Sequence, residues 1–231
     1  QGIGRVMQKV QRMGAWENTL FLFLSDNGAS AEALDTWPNP SRGHKPGSVT
    51  GTRESHRCIE VGWSNAANTP FREHKMWVHE GGSATPLIAH WPKGIRARGQ
   101  WTDAVGHVMD FAPTLLELAG IKYPEKNGET KLLPLVGRSL APIFQGKPMP
   151  SRILGWEHEG NHALRVGDFK AVARFRGDWE LYNMARDRTE TQNLAQSNPT
   201  KLKELTTKFQ QWADHVGVVP WETLPKSNYT P

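Results

Sequence analysis

Residues 20–28 read Leu-Phe-Leu-Phe-Leu-Ser-Asp-Asn-Gly, an unbroken apolar run that ends in a polar turn. A run this short and this uniformly apolar is typical of a strand covered on both faces, as in parallel sheets. Apolar residues at helical spacing over 1–14 add the helix-then-strand order of an α/β protein. We therefore predict that residues 20–24 form a central buried strand and that residues 25–28 lie where it leaves the core.

Asp26 and Asn27 place a carboxylate and an amide side by side after this strand. Open α/β sheets bind ligands at the carboxyl ends of their strands, and such oxygen ligands suit Ca²⁺ or Mg²⁺ better than zinc. Two oxygens fill only part of a shell of about six to eight ligands, and Asp-Asn-Gly is also a common turn. The residues alone therefore leave both a metal site and a simple turn open.

Lys75 follows about fifty residues later and precedes Glu80-Gly81-Gly82. A lysine ammonium is a compact point charge suited to a tetrahedral oxyanion, and glycines let a backbone approach closely and turn sharply. Most surface lysines are simply solvated, so the functional interpretation rests on the combination of Lys75 with the first motif.

The pattern of predicted secondary structure changes near residue 150. Before it, residues 29–69 are rich in Gly, Pro, Ser, Asn and Thr and predict a long loop, whereas residues 85–91 predict a second buried strand. Asp110 predicts the N-cap of a helix over 111–119, with Leu115, Leu116 and Leu118 turned inward.

The C-terminal part predicts an antiparallel meander and a final helix that begins at Asn198-Pro199. The predicted strands are 152–156, 163–166, 170–174 and 179–182. We expect two domains, residues 1–150 and 151–231.

Composition narrows the possible function classes. The chain has 231 residues and a net charge of +5, and its apolar runs are far shorter than the roughly 20 residues that span a bilayer. Basic residues cluster over 42–57, which predicts either a solvated loop or an anion-attracting rim, and no pattern typical of a nucleic-acid-binding protein accompanies them. A single cysteine, Cys58, excludes an internal disulfide.

The histidines lack the spacing and the cysteine partners of a zinc site. His158 lies between Glu157 and Glu159 and is either a strand-end histidine or a substrate contact.

Together these segments resemble the formylglycine-dependent sulfatases (type I, arylsulfatase-like) along nearly the whole chain. Residues 18–28 resemble the family segment that supplies calcium ligands, and residues 68–92 resemble the segment whose lysine holds the substrate sulfate. Residues 107–120 are similar to the helix that follows, and residues 181–194 are similar to the C-terminal subdomain.

The resemblance implies an alkaline-phosphatase-like α/β sandwich, present in part, followed by a small α+β subdomain with an antiparallel sheet and a C-terminal helix. It implies calcium-assisted hydrolysis of a sulfate ester, with Asp26 and Asn27 as Ca²⁺ ligands and Lys75 as a catalytic sulfate contact. His79 and His158 would touch the substrate, a sulfated small molecule or glycan, beyond its sulfate. The loop over 29–69 would act as a specificity lid, and family members of this type are often periplasmic or secreted.

One departure from the family pattern concerns the nucleophile. The family makes formylglycine from a Cys or Ser that is followed by Pro or Ala two positions on and by Arg four positions on, whereas Cys58 is followed by Glu60 and Gly62. We therefore expect the nucleophile on an absent N-terminal half and expect this polypeptide alone to be inactive. A phosphate-ester hydrolase on the same scaffold, and a catalytically dead module that binds a polyanion or glycan, remain alternatives.

Overall fold

The computed structural model describes residues 1–32, 45, 47–55 and 59–224. The chain divides into two units, one of residues 1–23 and 87–150, the other of residues 24–86 and 151–231. The expected boundary at residue 150 coincides with one boundary of these units, but residues 24–86 group with the C-terminal residues. The division into two domains, 1–150 and 151–231, stays a prediction.

The helices and strands alternate irregularly along the chain. None of the described helices is both long and apolar enough to cross a membrane. In chain order the elements are α1 (Gly2–Arg12), β1 (Phe21–Leu24), α2 (Glu60–Asn68), α3 (Glu80–Ser83), β2 (Leu87–His90), α4 (Phe111–Ala119), β3 (Lys126–Asn127), β4 (Thr130–Lys131), α5 (Ala141–Phe144), β5 (Ile153–His158), β6 (Asn161–Val166), β7 (Phe169–Ala173), β8 (Trp179–Asn183) and α6 (Pro199–Val216).

Strands β1 and β2 form where the apolar runs predict them and pair in a two-stranded sheet. The expectation that both are buried is wrong for the described residues, because Phe23 is 52% exposed and Ile88 is 60% exposed. A strand is buried on both faces only where further strands and helices cover it, and the described residues give β1 one neighbouring strand.

Helix α4 has the predicted bounds, but its surroundings differ from the prediction. Asp110 is the N-cap residue of α4, as predicted, but its carboxylate makes no hydrogen bond to this helix and instead accepts from the backbone N–H groups of His107 and Arg138, both at 2.8 Å. Leu115, predicted to face inward, is 53% exposed, and Thr114 is buried instead. Thr114 can lie on the buried side of α4 because its hydroxyl donates to the Asp110 carbonyl at 2.6 Å, which leaves no unpaired hydroxyl donor in the interior.

The C-terminal meander and helix are confirmed. Strands β5 to β8 form an antiparallel sheet in sequence order, and α6 packs on one face. Because side chains alternate along a strand, Ala171 and Leu181 point toward Leu205 of α6. Val172 and Tyr182, one residue further on, point to the opposite face and pack against Val78. This second face therefore anchors the segment that carries Lys75.

The predicted loop over 29–69 contains helix α2, so its loop character holds only in part. Helix α2 was missed because its apolar residues have no helical period and most of them are exposed. Of the basic cluster, Lys45 and Arg53 are described and exposed, and Lys45 lies 3.6 Å from Glu54 in an ion pair. The remaining members at 42, 44, 56 and 57, together with Cys58, lie outside the described residues, and the specificity lid stays a prediction.

Candidate functional site

The predicted metal ligands lie in a polar turn that follows β1 directly. The Ser25 hydroxyl donates to the Asn27 carbonyl at 3.0 Å, and the Asn27 amide nitrogen donates to the Gly28 carbonyl at 2.8 Å. The Asp26 side chain is exposed and Asn27 is half-buried. The amide nitrogen of Asn27 is therefore hydrogen-bonded within the turn, and its amide oxygen is the atom that could coordinate a metal ion.

The polar turn packs tightly against the glycine pair that follows Lys75. The backbone N–H of Gly28 donates to the Gly82 carbonyl at 3.0 Å. A Cβ at Gly28 would overlap the carbonyl oxygen of Gly81, so no larger residue fits here without backbone movement. The Lys75 N–H donates to the Ala29 carbonyl at 3.0 Å. The structure therefore brings together the two motifs that the sequence separates by about fifty residues.

Helix α2 adds side-chain bonds to this junction. The Asn68 side-chain oxygen accepts from the Ala29 N–H at 3.0 Å, and its nitrogen donates to the Glu73 carbonyl at 3.0 Å. The Ser64 hydroxyl donates to the Ser30 carbonyl at 2.7 Å. One asparagine thus bridges both motifs, a role that no periodicity or spacing around it indicates.

Lys75 makes an ion pair that the sequence did not predict. Its Nζ donates to Oε1 of Glu32 at 2.7 Å, with the lysine side chain 38% exposed and the glutamate side chain 16% exposed. The other carboxylate oxygen of Glu32 accepts a hydrogen bond from the Ser30 hydroxyl. Lys75 is therefore held in place by a fixed carboxylate while part of its side chain faces solvent.

A buried ionic cluster fixes the segment after Lys75 to the C-terminal sheet. Nζ of Lys170 lies 2.9 Å from Oε1 of Glu80 and 3.0 Å from Oε1 of Glu190, and Oε2 of Glu190 accepts from the Glu80 N–H at 2.8 Å. Burial alone would raise the pKa of Glu80, but the charge and hydrogen bond of Lys170, with the charges of Arg165 and Arg188, together lower it. The cluster therefore holds charged residues where they have almost no access to solvent.

His79 belongs to a second part of this network. Its Nε2 lies 3.2 Å from Oε2 of Glu180, which also accepts from the Tyr182 hydroxyl at 2.6 Å. The His79 hydrogen bond, followed by that from Tyr182, lowers the pKa of Glu180 to about 2. Burial and the nearby Glu180 carboxylate raise the pKa of Tyr182. With a side chain only 1% exposed, His79 has a structural role in this geometry, and its contact with substrate stays a prediction.

Arg72 and Arg188 bind the edges of the same network. Arg72 donates to the Tyr182 hydroxyl at 3.0 Å and to the Glu190 carbonyl at 2.9 Å. Arg188 lies 3.7 Å from Oε2 of Glu80. These partners come from distant parts of the chain, and the sequence gives no signal that pairs them.

His158 is the last residue of β5, as a strand-end histidine would be, and its side chain is exposed. Its carbonyl accepts from the Asn161 side chain at 2.9 Å. Within the described parts of the chain, no hydrogen bond or ion pair joins His158 to Lys75. Its substrate contact therefore also stays a prediction.

Comparison with protein families supports the same pairing of motifs. The family model described as "Sulfatase" matches residues 1–121, which include the polar turn and Lys75. The model described as "N-sulphoglucosamine sulphohydrolase, C-terminal" matches residues 72–215. The chain belongs to the sulfatase family. The resemblance inferred from the two motifs is thereby confirmed.

Individual sulfatases match most of this chain. It is 32% identical to an uncharacterised sulfatase of Schizosaccharomyces pombe, over 94% of the chain and 42% of that protein. It is 29% identical to the N-acetylgalactosamine-6-sulfatase of Mus musculus, over 97% of the chain and 37% of that protein. This sulfatase chain therefore spans about two fifths of the length of the curated relatives that it matches.

A solved structure shows the same fold. The crystal structure of Ps i-CgsB in complex with k-i-k-neocarrahexaose matches with a TM-score of 0.65 and 23% identity, over 92% of this chain and 40% of that chain. The expected fold class, alkaline-phosphatase-like α/β followed by an antiparallel sheet and a C-terminal helix, is confirmed.

Proposed function

We propose that this sulfatase chain supplies part of a site that hydrolyses a sulfate ester. In this proposal Asp26 and Asn27 bind Ca²⁺ and Lys75 binds the sulfate. The observation that carries it is the junction between the two motifs, where Gly28 bonds to Gly82 and Lys75 bonds to the backbone just after the polar turn. The two proposed Ca²⁺ ligands and the proposed sulfate-binding lysine thus lie on adjacent stretches of backbone that are hydrogen-bonded to each other.

The two proposed metal ligands fit a hard cation in their chemistry. Asp26 offers an exposed carboxylate, and the bond from the Asn27 nitrogen to the Gly28 carbonyl leaves the amide oxygen for a ligand. In the described part of the chain, no group of three or more His, Cys, Asp or Glu residues could hold a metal, so these two residues would be part of a larger ligand set. A bound Ca²⁺ would act as a Lewis acid on the sulfate oxygens.

Lys75 acts on the sulfate through its ammonium group. An ammonium has three N–H donors, and Glu32 accepts one of them, so the others can bond to sulfate oxygens or to the leaving oxygen. A fixed cation beside an oxygen that gains negative charge stabilises the transition state more than the ground state. The Lys75–Ala29 backbone bond and the tight Gly28–Gly81 contact keep the cation beside the polar turn.

Sulfated glycans are the substrate class that we propose. Support comes from the family model described as "N-sulphoglucosamine sulphohydrolase, C-terminal" and from the relative named N-acetylgalactosamine-6-sulfatase. The proposed nucleophile is a formylglycine carried outside this chain, and the proposed location is the periplasm or the exterior of the cell. His158, whose side chain is exposed, is a proposed substrate contact beyond the sulfate. His79 is a second proposed contact, and its buried side chain would have to become accessible to reach a substrate.

The test of the reaction type uses the protein encoded by the complete open reading frame that contains this chain. We expect it to hydrolyse para-nitrophenyl sulfate much faster than para-nitrophenyl phosphate and to lose activity on chelation of Ca²⁺. We expect no turnover by the chain alone. Faster hydrolysis of the phosphate ester would favour the phosphate-ester hydrolase instead, and salt-sensitive binding of a sulfated glycan without any turnover would favour the binding module.

A further inference from the structure

We propose that Glu32 sets the charge preference of the Lys75 site, so that the site favours monoanionic sulfate esters over dianionic phosphate esters. This inference rests on the proposed function, because it takes Lys75 as the anion contact. It assigns a specificity role to a residue in the loop after the polar turn, where no motif singles it out.

The geometry fixes the Glu32 carboxylate beside the lysine. One oxygen lies 2.7 Å from Nζ of Lys75, and the other accepts from the Ser30 hydroxyl. Ser30 is itself held by helix α2, because its carbonyl accepts from the Ser64 hydroxyl at 2.7 Å. Since the glutamate side chain is only 16% exposed, solvent screens its charge less than that of a surface carboxylate.

The pair leaves room for a ligand on the lysine. One ammonium donor is bonded to Glu32, two donors remain for other acceptors, and the side chain is 38% exposed. An anion that binds these donors lies next to the Glu32 carboxylate as well as next to the ammonium group. Every negative charge that the ligand brings is then repelled by the fixed carboxylate.

This repulsion distinguishes the two kinds of ester. A sulfate monoester carries one negative charge, whereas a phosphate monoester approaches two above its second pKa of about 6. Coulomb energy is proportional to ligand charge, so removal of the Glu32 charge should change the affinity for a dianion by roughly the square of its effect on a monoanion. If the monoanion gains about threefold, the dianion should gain about tenfold. Any metal nearby contributes equally with and without Glu32 and cancels in the comparison.

The experiment measures protection of Lys75 from acetylation in the chain. In metal-free buffer near pH 8, where phosphate esters are dianionic, a trace of acetic anhydride labels the lysines and peptide mass spectrometry reports each one. Methyl sulfate and methyl phosphate are titrated separately, and the concentration that halves Lys75 labelling gives an apparent Kd for each. The variants are Glu32→Gln, which keeps the side-chain shape, and Glu32→Ala.

The matched control is Glu204→Gln, which removes the exposed carboxylate that pairs with Lys201 and Lys208 on α6. Thermal unfolding of each variant, followed by circular dichroism, shows whether the fold persists. In Glu32→Gln we expect the apparent Kd to fall about threefold for methyl sulfate and about tenfold for methyl phosphate, with no change in the control.

The outcomes separate this inference from the proposed function. The role of Glu32 in charge preference is overturned if Glu32→Gln gains affinity equally for both anions, gains none, or binds both more weakly. In each of these cases, protection of Lys75 by methyl sulfate would still support the sulfate contact. If neither anion protects Lys75 from labelling, in the unchanged chain or in Glu32→Gln, then the Lys75 sulfate contact is overturned and this inference falls with it.

Discussion

Replacement of Lys170 by methionine tests the buried cluster that holds the Lys75 segment on the C-terminal sheet. The Lys170 side chain is fully buried and lies within 3.0 Å of both Glu80 and Glu190. Removal of one partner from a buried ion pair costs about 3–5 kcal/mol, because the charge left behind is neither solvated nor paired. Arg188, at 3.7 Å from Glu80, still compensates one carboxylate, so we place the expected cost at the lower end, about 3 kcal/mol.

Urea unfolding of the chain measures this cost. With a slope of about 2 kcal/mol per molar urea, a loss of about 3 kcal/mol lowers the unfolding midpoint by about 1.5 M. The control is Lys208→Met, which removes the exposed helical pair with Glu204 and should cost less than about 0.5 kcal/mol. Amide hydrogen exchange at Gly81 and Gly82 should also accelerate in Lys170→Met, because the cluster anchors the helix that contains them.

A triple variant, Lys170→Met with Glu80→Gln and Glu190→Gln, separates lost pairing from lost packing. Since it leaves no buried unpaired charge, it should recover much of the stability that Lys170→Met loses. If Lys170→Met unfolds at nearly the same urea concentration as the Lys208→Met control, the cluster does not anchor this segment and our reasoning is refuted.

Three further changes test other parts of the structure. Gly28→Ala should destabilise the chain by about 2–3 kcal/mol, through overlap with the Gly81 carbonyl, whereas Gly62→Ala on exposed α2 should be neutral or stabilising; urea midpoints distinguish them. Glu180, whose pKa is held at about 2, should stabilise the fold above about pH 4.5 and lose this contribution as the pH falls toward 2. The melting temperature of Glu180→Gln should therefore fall less steeply with acid than that of the unchanged chain, and an unchanged profile would contradict this. Leu205→Ala should cost about 2–5 kcal/mol, since Leu205 is fully buried under the sheet, and a loss below about 1 kcal/mol would show that α6 repacks.

Local patterns in the sequence predicted most of the secondary structure. Alternation and turn residues predicted β5 to β8, and Asn198 with Pro199 predicted the start of α6, because strand period, capping and backbone restriction act within a few residues. The polar turn after β1 was also predicted. Burial was harder to predict, as exposed Phe23 shows, because the cover over an apolar strand comes from elsewhere in the chain or the fold.

Contacts between distant residues could not be predicted from the sequence. The Glu32–Lys75 pair joins residues 43 positions apart, and the Lys170–Glu80 pair joins residues 90 apart. Each is set by the packing of whole elements, so the charged side chains looked like ordinary surface residues in the sequence. Asn68 likewise stood out only as the first residue of a family segment, although its side chain bridges the two motifs.

The central claim, that Asp26 and Lys75 belong to one sulfate-ester site, is tested most directly by kinetics of the protein from the complete open reading frame. We predict that Lys75→Ala lowers kcat/KM for para-nitrophenyl sulfate by about a hundredfold or more, as loss of one electrostatic stabiliser does, and that Asp26→Ala does the same and weakens Ca²⁺ binding. Lys208→Ala, which removes a lysine from an exposed pair with Glu204 on α6, should leave kcat/KM unchanged. Full activity in Lys75→Ala or Asp26→Ala would contradict the account.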